Sequence, residues 1–180
     1  MLLDAFNQDL SQAYKVLSSF YLYGITGDIL DELSEEFELS PDMDPSEDIE
    51  EDFFNLISSP AAVLPPYESL YATDIAEHGS IKGTIPEDVS RFYADAGLDL
   101  APEMTTIAPD HIGLEMLFVS YLIENNRIDV LRRFFSLHII SWVPHYCDLL
   151  KEEAQTAFMK EIGGITKELV LTDFEDLSHG

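Results

Sequence analysis

Asp110, His111 and Glu115 are the residues whose types and spacing come nearest to chemistry. They lie in the stretch APDHIGLEMLFVSY, residues 108–121. His111 and Glu115 are four apart, which puts them on one helix face, and Asp110 is adjacent. Three ligands could converge there on a metal, as a metal-dependent hydrolase would require. The second histidine of a His-Glu-x-x-His pattern is missing, and no other segment offers Glu-x-x-His. His138 and His145 are separated by Pro144 and read as ordinary helix-face histidines. Ser120 is nine residues past His111, too far along a helix to hydrogen-bond to it, and no Gly-x-Ser-x-Gly elbow occurs. Cys147, among Trp142, Tyr146, Leu149 and Leu150, reads as a small buried hydrophobe. Only contact with His145 or His111 would make it a low-pKa thiol. Gly163-Gly164-Ile165-Thr166-Lys167 has the residue types of a phosphate loop without its spacing and reads as a kink or helix break.

Binding chemistry fits better. Pro65-Pro66-Tyr67-Glu68 with Tyr71, and Asp110 with His111, are polar-tipped residues at the margins of apolar runs. Such margins form grooves that accept an amphipathic peptide, acids taking its basic end and aromatics its apolar end.

The elements that must position these residues are helices. Asp4 to Tyr23 carries Phe6, Leu10, Tyr14, Leu17 and Tyr21 at helical steps. Thr26 or Asp28 caps a second helix to about Leu39. Asp44-Pro45-Ser46-Glu47 reads as a capping box opening a third, to about Ser58. Pro60 to Tyr71 breaks the pattern, and Pro65-Pro66 holds it extended so that Tyr67 is delivered in a fixed direction. His78 to Thr84 is loop-like, and Thr84-Ile85-Pro86-Glu87 is a further capping box whose helix stops at Gly97. Pro109 is expected in the first turn of the central helix, with Asp110 and His111 beside it and Leu114, Leu117, Phe118 and Tyr121 as the buried seam. Asn125-Asn126 ends that helix; the next runs from Asp129 to Ile140, and Ser141 to Pro144 restarts one. Two helical segments around Gly163-Gly164 complete the chain, with residues 172–180 expected to fray. There is no hairpin signal and no fixed-period repeat. The expected fold class is all-α, residues 1–180 forming a single helical domain.

Composition narrows the partners. The chain has 180 residues, 35 acids against 9 bases and a net charge of −26. From Val16 to Ile81 there is no lysine or arginine, so that half presents one acidic face. Nucleic acid and anionic membrane carry the wrong sign to be partners, whereas a cationic partner is steered in. No run reaches the roughly 18 apolar residues of a membrane span, and MLLDAFNQDL lacks the basic start of a secretory signal. A lone cysteine gives neither a disulfide framework nor a sulfur-rich metal site. The expected location is the cytoplasm. The sequence leaves monomer and domain-swapped dimer both open, long helices on acidic loops allowing the swap.

The blocks PPYESLY (65–71), RFYADAGL (91–98), PDHIGLEMLFVSYL (109–122) and RRFFSLHIISWVPHYCDLL (132–150) resemble, in order and spacing, the TorD/DmsD/NarJ family of redox-enzyme maturation chaperones. The resemblance spans roughly the C-terminal two thirds of the chain; the N-terminal helices match only in type. It implies an all-helical fold of the TorD-like type, no catalysis and no cofactor of its own. The implied partner is the catalytic subunit of a molybdopterin-containing oxidoreductase. Its leader, often twin-arginine, is held in the cytoplasm during cofactor insertion and before export. The family's Asp-His motif, implicated in leader recognition, falls on Asp110 and His111, and its Pro-Pro-Tyr block on Pro65, Pro66 and Tyr67. The candidate leader-binding set is therefore Pro65, Pro66, Tyr67, Glu68, Tyr71, Asp110, His111 and Glu115. Leader arginines could pair with Asp110, Glu68 or Glu115 in charge-assisted bonds. The alternatives are an assembly chaperone of a non-exported oxidoreductase subunit, and the hydrolase built on Asp110, His111 and Glu115.

Overall fold

Apolar residues spaced at three and four bury one face of each helix against the others. A computed structural model describes residues 2–40, 43–72 and 83–179, with side chains from residue 8 onward. The described residues are all-α, with helices α1 (Leu2–Tyr23), α2 (Gly27–Phe37), α3 (Ser46–Phe53), α4 (Ile85–Asp95), α5 (Ile112–Glu124), α6 (Ile128–Phe134), α7 (Ile140–Glu153) and α8 (Ala157–His179). They surround one continuous core in which Tyr14, Leu17, Phe20, Met116, Phe134, Trp142, Tyr146 and Phe158 are fully buried. None of these helices is long and apolar enough to cross a membrane. Most of the loop-like stretch read over 78–84, residues 78–82, lies outside the described residues.

The central helix α5 packs mainly against α1. Gly113 is what lets the two come close: a Cβ there would lie 2.5 Å from Leu22 Cγ and 3.1 Å from the Ser18 carbonyl oxygen. Ser18 Oγ donates to the Gly113 carbonyl at 2.7 Å. The deepest side of α5 is Ile112, Met116, Val119 and Leu122. Of the seam read at 114, 117, 118 and 121, Leu114 and Phe118 are buried, but Tyr121 is half-buried and Leu117 is 42% exposed. An apolar helix with no polar side cannot reveal which face is innermost.

The caps divide similarly. Thr26 accepts from Ile29 N at 3.2 Å, and Thr84 with Glu87 forms the expected capping box. At α3, by contrast, Pro45 takes the cap position without a side-chain bond, and Asp44 accepts from Phe158 N at 2.8 Å instead. Asp44 thus ties the start of α3 to the start of α8.

Residues 128–153 form one continuous helical run, without the restart read at Ser141. Its middle, Phe135–Ile139, is a wide π turn in which Ile140 N bonds to Phe135 O. Pro144 follows it inside α7. Gly163-Gly164 does not break α8 either. A Cβ on Gly163 would meet Lys151 Cγ at 2.9 Å and the Cys147 carbonyl oxygen at 3.1 Å, so the glycine serves close packing of α8 on α7. Helix α8 continues to His179 through the stretch expected to fray.

Candidate functional site

Pro65 and Pro66 fix a strap that lies against the chain entering α5. Ile112 N donates to Pro66 O and Glu68 N to Asp110 O, both at 2.9 Å, a single antiparallel bridge between Tyr67 and His111. The two rings meet edge to face at 5.1 Å. Asp110 Oδ2 accepts from Ser69 N at 3.0 Å. The strap's claim on these backbone groups delays the helix, so Pro109, Asp110 and His111 precede it rather than form its first turn. His111 is the N-cap, its Nδ1 accepting from Gly113 N at 3.0 Å. That bond requires neutral imidazole. Burial pushes the His111 pKa down to about 4, against the opposing pull of the Asp110 charge.

Behind the strap runs a buried polar network. Glu68, 0% exposed, accepts from His138 Nδ1 at 2.9 Å, and His138 Nε2 faces Asp88 Oδ2 at 3.3 Å. Arg91 donates to Asp88 Oδ1 at 3.1 Å from the surface side. On the inner side Trp142 Nε1 donates to Glu115 Oε2 at 3.1 Å. Burial, then the neighbouring Glu68 charge, raises the Glu115 pKa well above the carboxylate range. Burial thus favours the protonated carboxyl, the form that can donate to the Glu68 carboxylate. Glu115 Oε1 is buried without a hydrogen-bond partner among the described residues. Asp110 Oδ1 is also buried without a donor, and nothing around it fills that role.

The other side of α5 is open. Leu114, Leu117, Phe118 and Tyr121 floor a groove of about 360 Å³, walled by Leu98 to Ala101 and Met104 from the loop after α4. Asp99 and Glu124 stand on its rim, Glu124 paired with Lys15 of α1. Tyr93 lines the groove and donates its hydroxyl to Pro109 O at 2.8 Å, which joins the groove wall to the Asp110–His111 turn. The arrangement offers an apolar trough with acids at its edge; the one serine lining it, Ser120, is tied to Ser11 Oγ at 3.1 Å.

The structure brings Tyr67, Glu68, Asp110, His111 and Glu115 together around the start of α5, with Pro65 and Pro66 as the strap's backbone. Tyr71, half-buried, stacks on Trp142 at 5.8 Å between centroids. Asp110, Glu68 and Glu115 are each 0% exposed and face into the protein. As possible metal ligands they diverge: His111 is turned to Gly113 N, Asp110 to Ser69 N, and Glu115 to Trp142. Among the described residues no group of three His, Cys, Asp or Glu is placed to hold a metal. Burial raises the Cys147 thiol pKa far above its usual value, so it is the inert hydrophobe expected.

His138, Asp88 and the Leu117 groove escape a reading of the sequence. His138 is no ordinary helix-face residue but the hub of the buried network. A signal was present: Phe134, His138 and Trp142 lie at four-residue steps, as do Asp88 and Phe92, so polar groups sit inside apolar stripes.

Residues 4–148 match the family model described as nitrate reductase delta subunit. No curated protein matches the chain. The match takes in the N-terminal helices, which the sequence blocks alone left out, and ends inside α7, before α8. With its helical fold and a match over most of its length, the chain belongs to the nitrate reductase delta subunit family, the NarJ/TorD-like chaperones that mature molybdoenzymes.

Proposed function

We propose that this protein is a cytoplasmic chaperone that grips the leader or N-terminal region of a molybdopterin-containing oxidoreductase subunit and holds it while cofactor is inserted. The observation that carries the reading is the groove on α5, apolar along its floor and acidic at its rim. A twin-arginine leader has a basic start and an apolar stretch, which match the rim and the floor respectively. The −26 charge steers such a segment in. The strap and the Asp110–His111 turn support this site through Tyr93 rather than by direct contact.

A second arrangement has one observation in its favour. Asp110 Oδ1 is a buried acceptor with no donor, and a guanidinium N–H would satisfy it once the Tyr67 strap lifted. In that arrangement Asp110, Glu68 and Glu115 meet a leader arginine directly.

Titration of a synthetic twin-arginine leader by fluorescence anisotropy tests the reading. Leu117→Glu is expected to weaken binding about tenfold or more, since it buries a charge under the apolar stretch. Under the second arrangement Asp110→Asn weakens binding instead, and Leu117→Glu leaves it intact. Absence of leader binding by the unmodified protein contradicts both.

A further inference from the structure

The chain has four arginines, and all of them fall on one flank of the molecule, around α4 and α6. Arg91, Arg127 and Arg133 line a hollow of about 220 Å³ that also contains Phe92, Val130 and Leu137. Arg132 and Arg133, with Ser136 and Leu137, line an adjoining hollow of about 440 Å³. The two share Arg133 and Leu137 and lie side by side as one arginine-lined trough. Arg133 lies over the Phe92 ring, 5.5 Å from its centre, and Arg132 is steadied by a bond from its Nε to Leu177 O at 3.1 Å. The ring contact and the Nε bond leave the terminal nitrogens of Arg133 and Arg132 for a visitor.

In a protein of charge −26 such clustering needs a cause. An acidic partner is repelled nearly everywhere on this surface, so this flank is where it is accepted. The leader groove is lined by none of these arginines. We propose, on the chaperone reading above, that the arginine trough is a second docking surface, which takes an acidic segment of the client polypeptide with apolar residues interspersed among its carboxylates. Guanidinium forks match carboxylates two bonds at a time, and Phe92, Val130 and Leu137 between them match apolar side chains. A compact phosphate fits less well: Asp88 and Asp95 line the same hollow and oppose a dense dianion, whereas spaced carboxylates avoid them.

The probe is a fluorescein-labelled peptide alternating glutamate with leucine and phenylalanine, titrated by anisotropy against the full chain. Binding is expected to weaken as salt rises and to fall about tenfold or more in Arg127→Ala/Arg133→Ala. The same double variant is expected to leave affinity for the twin-arginine leader unchanged, which separates this surface from the groove on α5. Arg127→Lys/Arg133→Lys keeps the charge without the fork and is expected to fall between the two. Lack of peptide binding, equal affinity in the double alanine variant, or ready displacement of the peptide by inorganic pyrophosphate would each overturn the proposal.

Discussion

At the scale of single residues, the structure turns on how buried charge is matched. Glu68 and Asp88 both face His138; removing the imidazole strands the fully buried Glu68 carboxylate, while Asp88 keeps Arg91. His138→Ala is expected to cost about 3–5 kcal/mol in chemical denaturation, the range for breaking a buried ionic cluster. Glu115→Gln should behave oppositely. The amide reproduces the protonated carboxyl, accepting from Trp142 and donating to Glu68, so a change of no more than about 1 kcal/mol is expected. A large loss in Glu115→Gln would mean that the carboxyl is ionised. His111 adds a pH dependence of definite sign. Its folded pKa, about 4, lies below the usual 6.5, so the unfolded chain takes up the proton first. Its contribution to stability is full above pH 6.5 and drains away as pH falls toward 4. His111→Asn, which keeps a capping acceptor without the titration, should flatten that part of the stability profile.

At the scale of elements, the sequence was most legible where local chemistry decides the outcome. Thr84 to Glu87 forms its capping box because no distant group competes for it. Asp44 has the same local credentials, but α8 brings Phe158 N within reach and takes its carboxylate. Pro109 could open a helix, yet the strap at Pro66 and Glu68 occupies the backbone groups and moves the start to Ile112. The strap, the α5 turn and their meeting at Tyr67 and His111 link the residues picked out as candidates. Their burial could not be read from residue type, because an acid at a helix mouth looks the same wet or dry. Glycines show the same limit: Gly163 looked like a break and is a contact. Gly113→Ala tests the corresponding contact at α1. The added methyl meets Leu22 and the Ser18 carbonyl, and overpacking there is expected to lower stability by about 1–3 kcal/mol in denaturant melts.

At the scale of the whole molecule, charge and shape divide the surface. A groove with acids at its rim runs along α5 under the loop after α4, and a basic trough crosses α4 and α6, both resting on the shared core. Lys15 stands at the rim of the groove and is paired to Glu124, so it partly masks an acid that a basic leader would use. Lys15→Ala is expected to tighten leader binding by about two- to fivefold at low salt, with the gain vanishing as salt screens the rim. The central claim is that the leader's apolar stretch lies on Leu114, Leu117, Phe118 and Tyr121. Its most direct test is photo-crosslinking of a leader bearing benzophenone in that stretch, with the attachment sites mapped by mass spectrometry. The account predicts adducts on α5 and on residues 98–104; adducts confined to α7, α8 or the arginine trough would contradict it.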